Sequence, residues 1–268
     1  MLLDPKDPLA LAATSAIHSG DTTSLTALLQ AHPSLATAYI GTSVSTSKST
    51  SSEQPGARTL LHILIDYPGN FIHGPTTATI LLSHGADPNA PFLGPQHAET
   101  SLHWAASCDN VAVLDVLLDG GADVDAGGGV IAGGTALADA RAFGQWKVAK
   151  RLVERGAKVT LMDCAALGML EEVRAWYECE GEGVRKGVGE GVGAGIKRNG
   201  RCRPSSEETS LAFWNACHGA QLEVAEYLHS QGADVNREPP WEALTPLGAA
   251  RKSEVADVVD WLEGLNAK

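Results

Sequence analysis

The sequence predicts an all-α fold in which helix pairs repeat along the chain and stack into a solenoid. Three observations predict it. Gly85-Ala86-Asp87, Gly121-Ala122-Asp123, Gly156-Ala157-Lys158 and Gly232-Ala233-Asp234 each close an apolar-periodic stretch, at intervals of 36, 35 and 76 residues. Upstream of them, Thr59-Leu60-Leu61-His62, Thr100-Ser101-Leu102-His103, Gly134-Thr135-Ala136-Leu137 and Thr245-Pro246-Leu247 open the same stretches. The chain is 44% hydrophobic yet only 5% aromatic, with 29 glycines, which implies an Ala- and Leu-based core between closely approaching backbones.

The elements follow in order. About seven helix pairs are expected, beginning near residues 8, 58, 99, 134, 159, 208 and 244. Thr59, Thr100 and Thr135 are suited to cap the first helix of their pairs, a hydroxyl accepting an otherwise orphan backbone N–H. Ala105, Ala106, Ala165 and Ala166 let helices of adjacent pairs come close. Gly85, Gly121, Gly156 and Gly232 follow the second helix, where a left-handed residue ends it without a Cβ penalty. No pair has a core of its own, so each must stack on its neighbours and the outermost serve as caps. Trp241 and Trp261 are placed to seal the last pair. Two segments break the period. In residues 42–53 nine of twelve are Ser or Thr, a flexible-loop composition. Residues 178–208 form an insertion with eight glycines between Gly181 and Gly200. A single domain spanning 1–268 is expected, with both segments inside it.

The paired marks resemble the ankyrin repeat, whose unit of about 33 residues carries T-P-L-H and later G-A-D. The resemblance covers nearly the whole chain outside the two segments. It implies β-hairpin-like finger loops, histidines (His62, His103) that tie neighbouring turns by hydrogen bonds, and a concave groove lined by the first helices. The stretches D-x-P-G-x-F, H-A-E-T-x-L-H-W, G-G-V-I-x-G-G and F-W-x-A-C-H-G are similar to those of compact single-domain microbial ankyrin proteins. That group has no established activity, so the resemblance bears on the fold.

Aligning the pairs selects the side chains that should face the groove. The position after the motif histidine reads Ser15, Ile63, Trp104, Asp139, Asp163, Asn215 and Ala249; one turn later come His18, Asp66, Tyr67, Ser107, Cys108, Phe143 and His218. Asp139, Asp163 and Asn215 in successive pairs suggest a polar strip bordered by Trp104 and Phe143. Such groups either bind a ligand or hydrogen-bond the adjoining backbone and support the stack. The ligand-binding set is thus Asp66, Tyr67, Trp104, Cys108, Asp139, Phe143, Asp163, Asn215 and His218. Gly127-Gly128-Gly129-Val130-Ile131-Ala132-Gly133-Gly134, with five glycines, could bring backbone amides to an anionic or carbonyl ligand, although flexibility alone also explains it. It has no phosphate-loop spacing.

Several chemistries are disfavoured. Twenty Lys and Arg against 32 Asp and Glu give a net charge of −12, which argues against nucleic acid and anionic membranes as partners. No apolar run has the length of a membrane span, and the first residues lack the pattern of a signal peptide. Five scattered cysteines (Cys108, Cys164, Cys179, Cys202, Cys217) without a C-x-x-C pair point away from structural zinc and disulfides and toward a cytoplasmic location. His97-x-Glu99 followed by His103 has the wrong spacing for a zinc helix, so no metal and no cofactor is expected. Cys217-His218 is a poor nucleophile and base pair, because adjacent helical residues diverge by about 100°.

Two functional readings remain. In one, the chain is a non-catalytic recognition module that holds a protein or peptide partner, favoured to be basic, in its groove. In the other, a small molecule occupies a polar and aromatic pocket, with acid–base chemistry such as elimination, isomerisation or cyclisation. There His218 and Asp66 would transfer protons, Asp139 and Asp163 would position the substrate, and Trp104, Phe143 and Tyr67 would form an apolar wall.

Overall fold

A computed structural model describes residues 1–41, 56–66, 69–178, 203–253 and 255–268. The Ser/Thr-rich residues 42–53 and residues 179–202 of the glycine-rich segment lie outside the described residues, as does Tyr67. Two compact units divide the chain, Met1–Arg155 and Gly156–Lys268. The described residues hold fourteen α-helices in seven consecutive pairs and one three-stranded sheet. The architecture is an all-α repeat solenoid.

The amino-terminal unit contains α1 (Pro8–Ser19), α2 (Thr22–Ala31), α3 (Leu60–Ile65), α4 (Gly74–Ser83), α5 (Ser101–Ser107), α6 (Val111–Asp119), α7 (Ala136–Ala142) and α8 (Trp146–Glu154). First helices stack in the order α1, α3, α5, α7, and second helices in the order α2, α4, α6, α8. The core between them is Leu and Ala: Leu61, Leu64, Leu102, Ala105, Ala106, Leu114, Leu117, Ala140 and Leu152 are almost wholly buried. Strands β1 (Leu2–Leu3), β2 (Tyr39–Gly41) and β3 (Ala57–Thr59) form the sheet, with β2 antiparallel to β3 in the register Ile40 to Arg58. Ala57 also bridges to Leu93, which links successive finger loops.

The carboxy-terminal unit contains α9 (Leu161–Ala166), α10 (Leu170–Tyr177), α11 (Ser206–His218), α12 (Leu222–Ser230), α13 (Pro246–Lys252) and α14 (Ala256–Gly264). Here α9, α11 and α13 stack in turn, and α10 meets α12. Phe213, fully buried, packs near the Trp261 ring at 6.1 Å, so Trp261 of the last pair leans on the pair before it. Trp241 stays 44% exposed and lies edge-on to Trp214. The glycine-rich segment expected over 178–208 gives way earlier than its composition suggests. Ser205 caps α11 and Glu208 closes a reciprocal capping box with it, so residues 205–208 belong to the helix start.

The repeat marks have local causes. Thr59, Thr135, Thr160 and Thr245 each accept a backbone N–H at the start of a first helix. Gly85, Gly121, Gly156 and Gly232 adopt φ of 93°, 92°, 90° and 94°, a conformation in which an L side chain is strained.

Candidate recognition site

The motif histidines build the floor from which the site rises. In α3 and α5 the histidine lies three residues after the capping threonine. The N–H of Thr59 points at His62 Nδ1 (3.4 Å) and that of Thr100 at His103 Nδ1 (3.1 Å). Nδ1 is therefore the acceptor, and Nε2–H is free to donate. It donates forward, from His62 to the Glu99 carbonyl at 3.0 Å and from His103 to the Gly134 carbonyl at 3.2 Å. Each imidazole thus caps its own helix and binds the residue just before the next capping threonine. Burial holds the His62 ring down to about 4 and lowers His103 as well, so both stay neutral near pH 7.

Trp214 takes this place in α11. Its indole Nε1–H donates to the Leu244 carbonyl at 2.8 Å, and Leu244 precedes the capping Thr245. The sequence shows no histidine there, and the motif gives no warning that an indole can make the same link. The two positions share only an N–H donor on a ring.

Above His62 lies an aromatic cluster. The Trp104 ring meets His62 edge-on at 4.9 Å, Phe92 sits 5.9 Å from Trp104, and Phe92 N–H donates to the Glu99 carbonyl at 2.7 Å. The half-buried Glu99 carboxylate accepts a hydrogen bond from the Trp104 side chain. Desolvation raises this carboxyl above its usual range, against the hydrogen bond from Trp104 and the nearby His97. In the sequence Glu99 stands out only in the His97-x-Glu99 spacing that is wrong for a metal; its place beside Trp104 depends on the turn at Thr100.

Asp139 lies one helix further on, in α7, and is fully buried. The glycine-rich loop covers it. Gly128 and Gly129 N–H groups bond back to the Gly133 and Gly134 carbonyls, a hairpin-like turn, and the Ile131 N–H donates to Asp139 Oδ1 at 3.2 Å. A Cβ on Gly129 would fall 2.6 Å from Oδ2, so only glycine lets the backbone lie this close. Oδ2 itself is buried without a hydrogen-bond partner. Burial pushes the Asp139 carboxyl up to about 7, and Glu99 adds to the rise while the Ile131 and Val130 N–H groups and Arg141 oppose it. The same loop is joined to the segment that carries Glu99, because Ala98 N–H donates to the Gly128 carbonyl at 3.2 Å.

The other expected site residues fall into two sets. Asp163 and Asn215 are almost wholly buried. Helix α9 is one residue shorter between its capping threonine and its left-handed residue than α5 or α7, so Asp163 arrives three residues after Thr160. Its carboxylate accepts from the Thr160 hydroxyl (2.6 Å) and N–H (2.8 Å), which makes it a cap and not the equivalent of Asp139. Asn215 donates to the Leu211 carbonyl at 2.8 Å within its own helix.

The second set reaches solvent. Asp66 forms an ion pair with Arg58, Phe143 is 47% exposed, and Cys108 is half-buried with Sγ near the Ile65 carbonyl. Burial and the Asp66 charge raise the Cys108 thiol, which leaves it a poor nucleophile. Cys217 is fully buried and likewise raised by desolvation. His218, in the carboxy-terminal unit, stacks on Trp214 at 5.2 Å. Among the described residues no group of three or more His, Cys, Asp or Glu could hold a metal ion. A depression of about 520 Å³ opens between α1 and α2, lined mainly by Ala12, Ser15, Ser19, Ala27 and Leu28. Its one ionisable group, Asp21, is engaged with Ser24.

Comparison with known families agrees with this geometry. Residues 72–163, from the loop before α4 into α9, match the model for ankyrin repeats in three copies. No curated protein matches the chain. The ankyrin-repeat match over residues 72–163, the histidine links between successive pairs and the stacked helices describe one architecture.

Proposed function

We propose that the protein is a recognition module that holds a protein or peptide segment against the first helices and finger loops of its amino-terminal unit. Ankyrin repeats serve generally as protein–protein interaction modules. The observation that carries the reading here is Trp104, a half-buried indole beside the half-buried Glu99 on the loop side of α5. Large aromatic side chains of this kind are the usual anchors of protein interfaces. Phe143 on α7 and the Asp66–Arg58 pair at α3 add exposed groups from the neighbouring repeats of the same unit.

The partner is basic, in keeping with the net charge of −12, and nucleic acid or a membrane surface is disfavoured for the same reason. Cys108, Cys164 and Cys217 are free thiols, which supports an intracellular setting. Among the described residues no helix is long and apolar enough to cross a membrane.

Quantitative affinity capture with wild-type protein, Glu99→Gln and the Trp104→Ala/Phe143→Ser double variant tests the reading. A polypeptide enriched by the wild type and lost from the double variant, with circular dichroism unchanged, is the expected result. Equal capture by folded wild-type and double-variant baits would overturn this placement of the interface.

A further inference from the structure

Two acidic groups in the amino-terminal unit, Glu99 and Asp139, lie close together, with His97 near the first and Arg141 near the second. Neither Glu99 nor Asp139 takes part in the ion pairs that link Arg58, Arg151, Arg155, Arg174, Arg237, Arg251 and Lys252 to carboxylates. Glu99 stands half-buried against the Trp104 indole. Asp139 is fully buried under Gly129, and Gly129's neighbour Gly128 accepts the Ala98 N–H next to Glu99. One Asp139 oxygen takes the Ile131 N–H, and the other has no hydrogen-bond partner. A buried, unsatisfied carboxyl oxygen costs free energy that a folded chain normally avoids. Glu99, whose charge acts on Asp139, accepts a hydrogen bond from the Trp104 side chain.

Resting on the recognition reading above, we propose that Glu99, the ring of Trp104 and the carboxyl of Asp139 form a subsite for one guanidinium side chain of the partner. Guanidinium is the fitting cation. Its planar face stacks on an indole and its forked donors match a carboxylate, whereas an ammonium offers only a point charge. The carboxylate of Glu99 takes the direct contact, and Asp139 behind the finger loop supplies a second negative charge when it ionises.

The groups that face Asp139 set the pH response. They are Glu99 from the segment before α5, Arg141 from its own helix and the Val130 and Ile131 N–H groups of the loop. His97 lies near Glu99. An arriving cation favours the ionised carboxyl, so binding strengthens as pH rises from 6 to 8.

The test uses the full chain and two acetylated, amidated nine-residue Gly/Ser peptides, one with a central arginine and one with citrulline, which keeps the shape and lacks the charge. Binding is read from the Trp104 indole N–H resonance, assigned by its loss in Trp104→Phe. The arginine peptide should shift this resonance and the citrulline peptide should not. Glu99→Gln should weaken the arginine peptide at least tenfold with its circular dichroism unchanged. Wild-type affinity should rise several-fold from pH 6 to 8, and the rise should shrink in Asp139→Asn. Equal shifts from both peptides, or unchanged affinity in Glu99→Gln, would overturn the proposal. Its failure is distinct from failure of the recognition reading. A partner captured equally by wild type and Glu99→Gln rejects the subsite alone, whereas arginine-dependent shifts without any captured polypeptide reject the partner class alone.

Discussion

Asp139 and His62 pull the stability of the amino-terminal unit in opposite directions with pH. Asp139 is raised to about 7 in the fold from an ordinary value near 3.8. The folded form therefore binds its proton more tightly, and the cost of burying the charge grows as pH rises from about 4 to 7. His62 is lowered to about 4 from 6.5, so its contribution is intact above the unfolded value and is lost as pH falls from 6.5 toward 4. The two slopes offset each other. Asp139→Asn keeps an acceptor for the Ile131 N–H and removes the charge; it should stabilise the protein at pH 7 by about 1–3 kcal/mol. Below pH 4 the gain should vanish, and between 4 and 6.5 the variant should show the histidine slope uncovered. Urea unfolding across this range is the measurement. A variant less stable than wild type at pH 7 would mean that the carboxylate, held by the loop N–H groups, supports the fold.

Element by element, the links between successive pairs follow a single rule with several chemistries. His62 and His103 cap and link, Trp214 links only, and Asp163 caps only. An indole has no acceptor nitrogen, so α11 needs another start, and the Ser205–Glu208 box provides one further upstream in a helix of 13 residues. Trp214→Phe keeps most of the buried ring and deletes the donor. It should cost about 1–3 kcal/mol, because the Leu244 carbonyl loses its partner. His103→Ala should cost more, since a cap and a link go together. Thermal unfolding of both variants checks the order. The helix starts, the left-handed glycines and the motif histidines were legible in the sequence because each is a local requirement of one or two residues. The burial of Asp139 was not, because it depends on a loop folding back over the helix that follows it. Nor was the role of Asp163, since one residue more or less in α9 moves it by 100° around the helix. Trp214 escaped notice because a motif specifies a residue type, while the structure requires only a ring N–H in reach of a carbonyl.

For the molecule as a whole, under the recognition reading proposed above, charge is the term that speeds encounter with a basic partner. The chain's −12 extends over 268 residues, and an acidic surface attracts a basic chain over about a Debye length, ~10 Å at 0.1 M salt. The association rate with an arginine-rich peptide should therefore fall about tenfold or more between 0.05 and 0.5 M salt, while the dissociation rate changes much less. Stopped-flow fluorescence separates the two. A salt effect confined to dissociation would place the attraction in the contact itself.

The indole of Trp214 gives the two units different chemical vulnerabilities. The seams made by His62 and His103 depend on a nitrogen lone pair that a proton or an acylating reagent can claim whenever the ring becomes accessible. The Trp214 seam has no lone pair to surrender. Acid and diethylpyrocarbonate should therefore loosen the amino-terminal seams once their buried rings open to solvent, and should leave the bond that fastens α11 to the next turn without a site of attack.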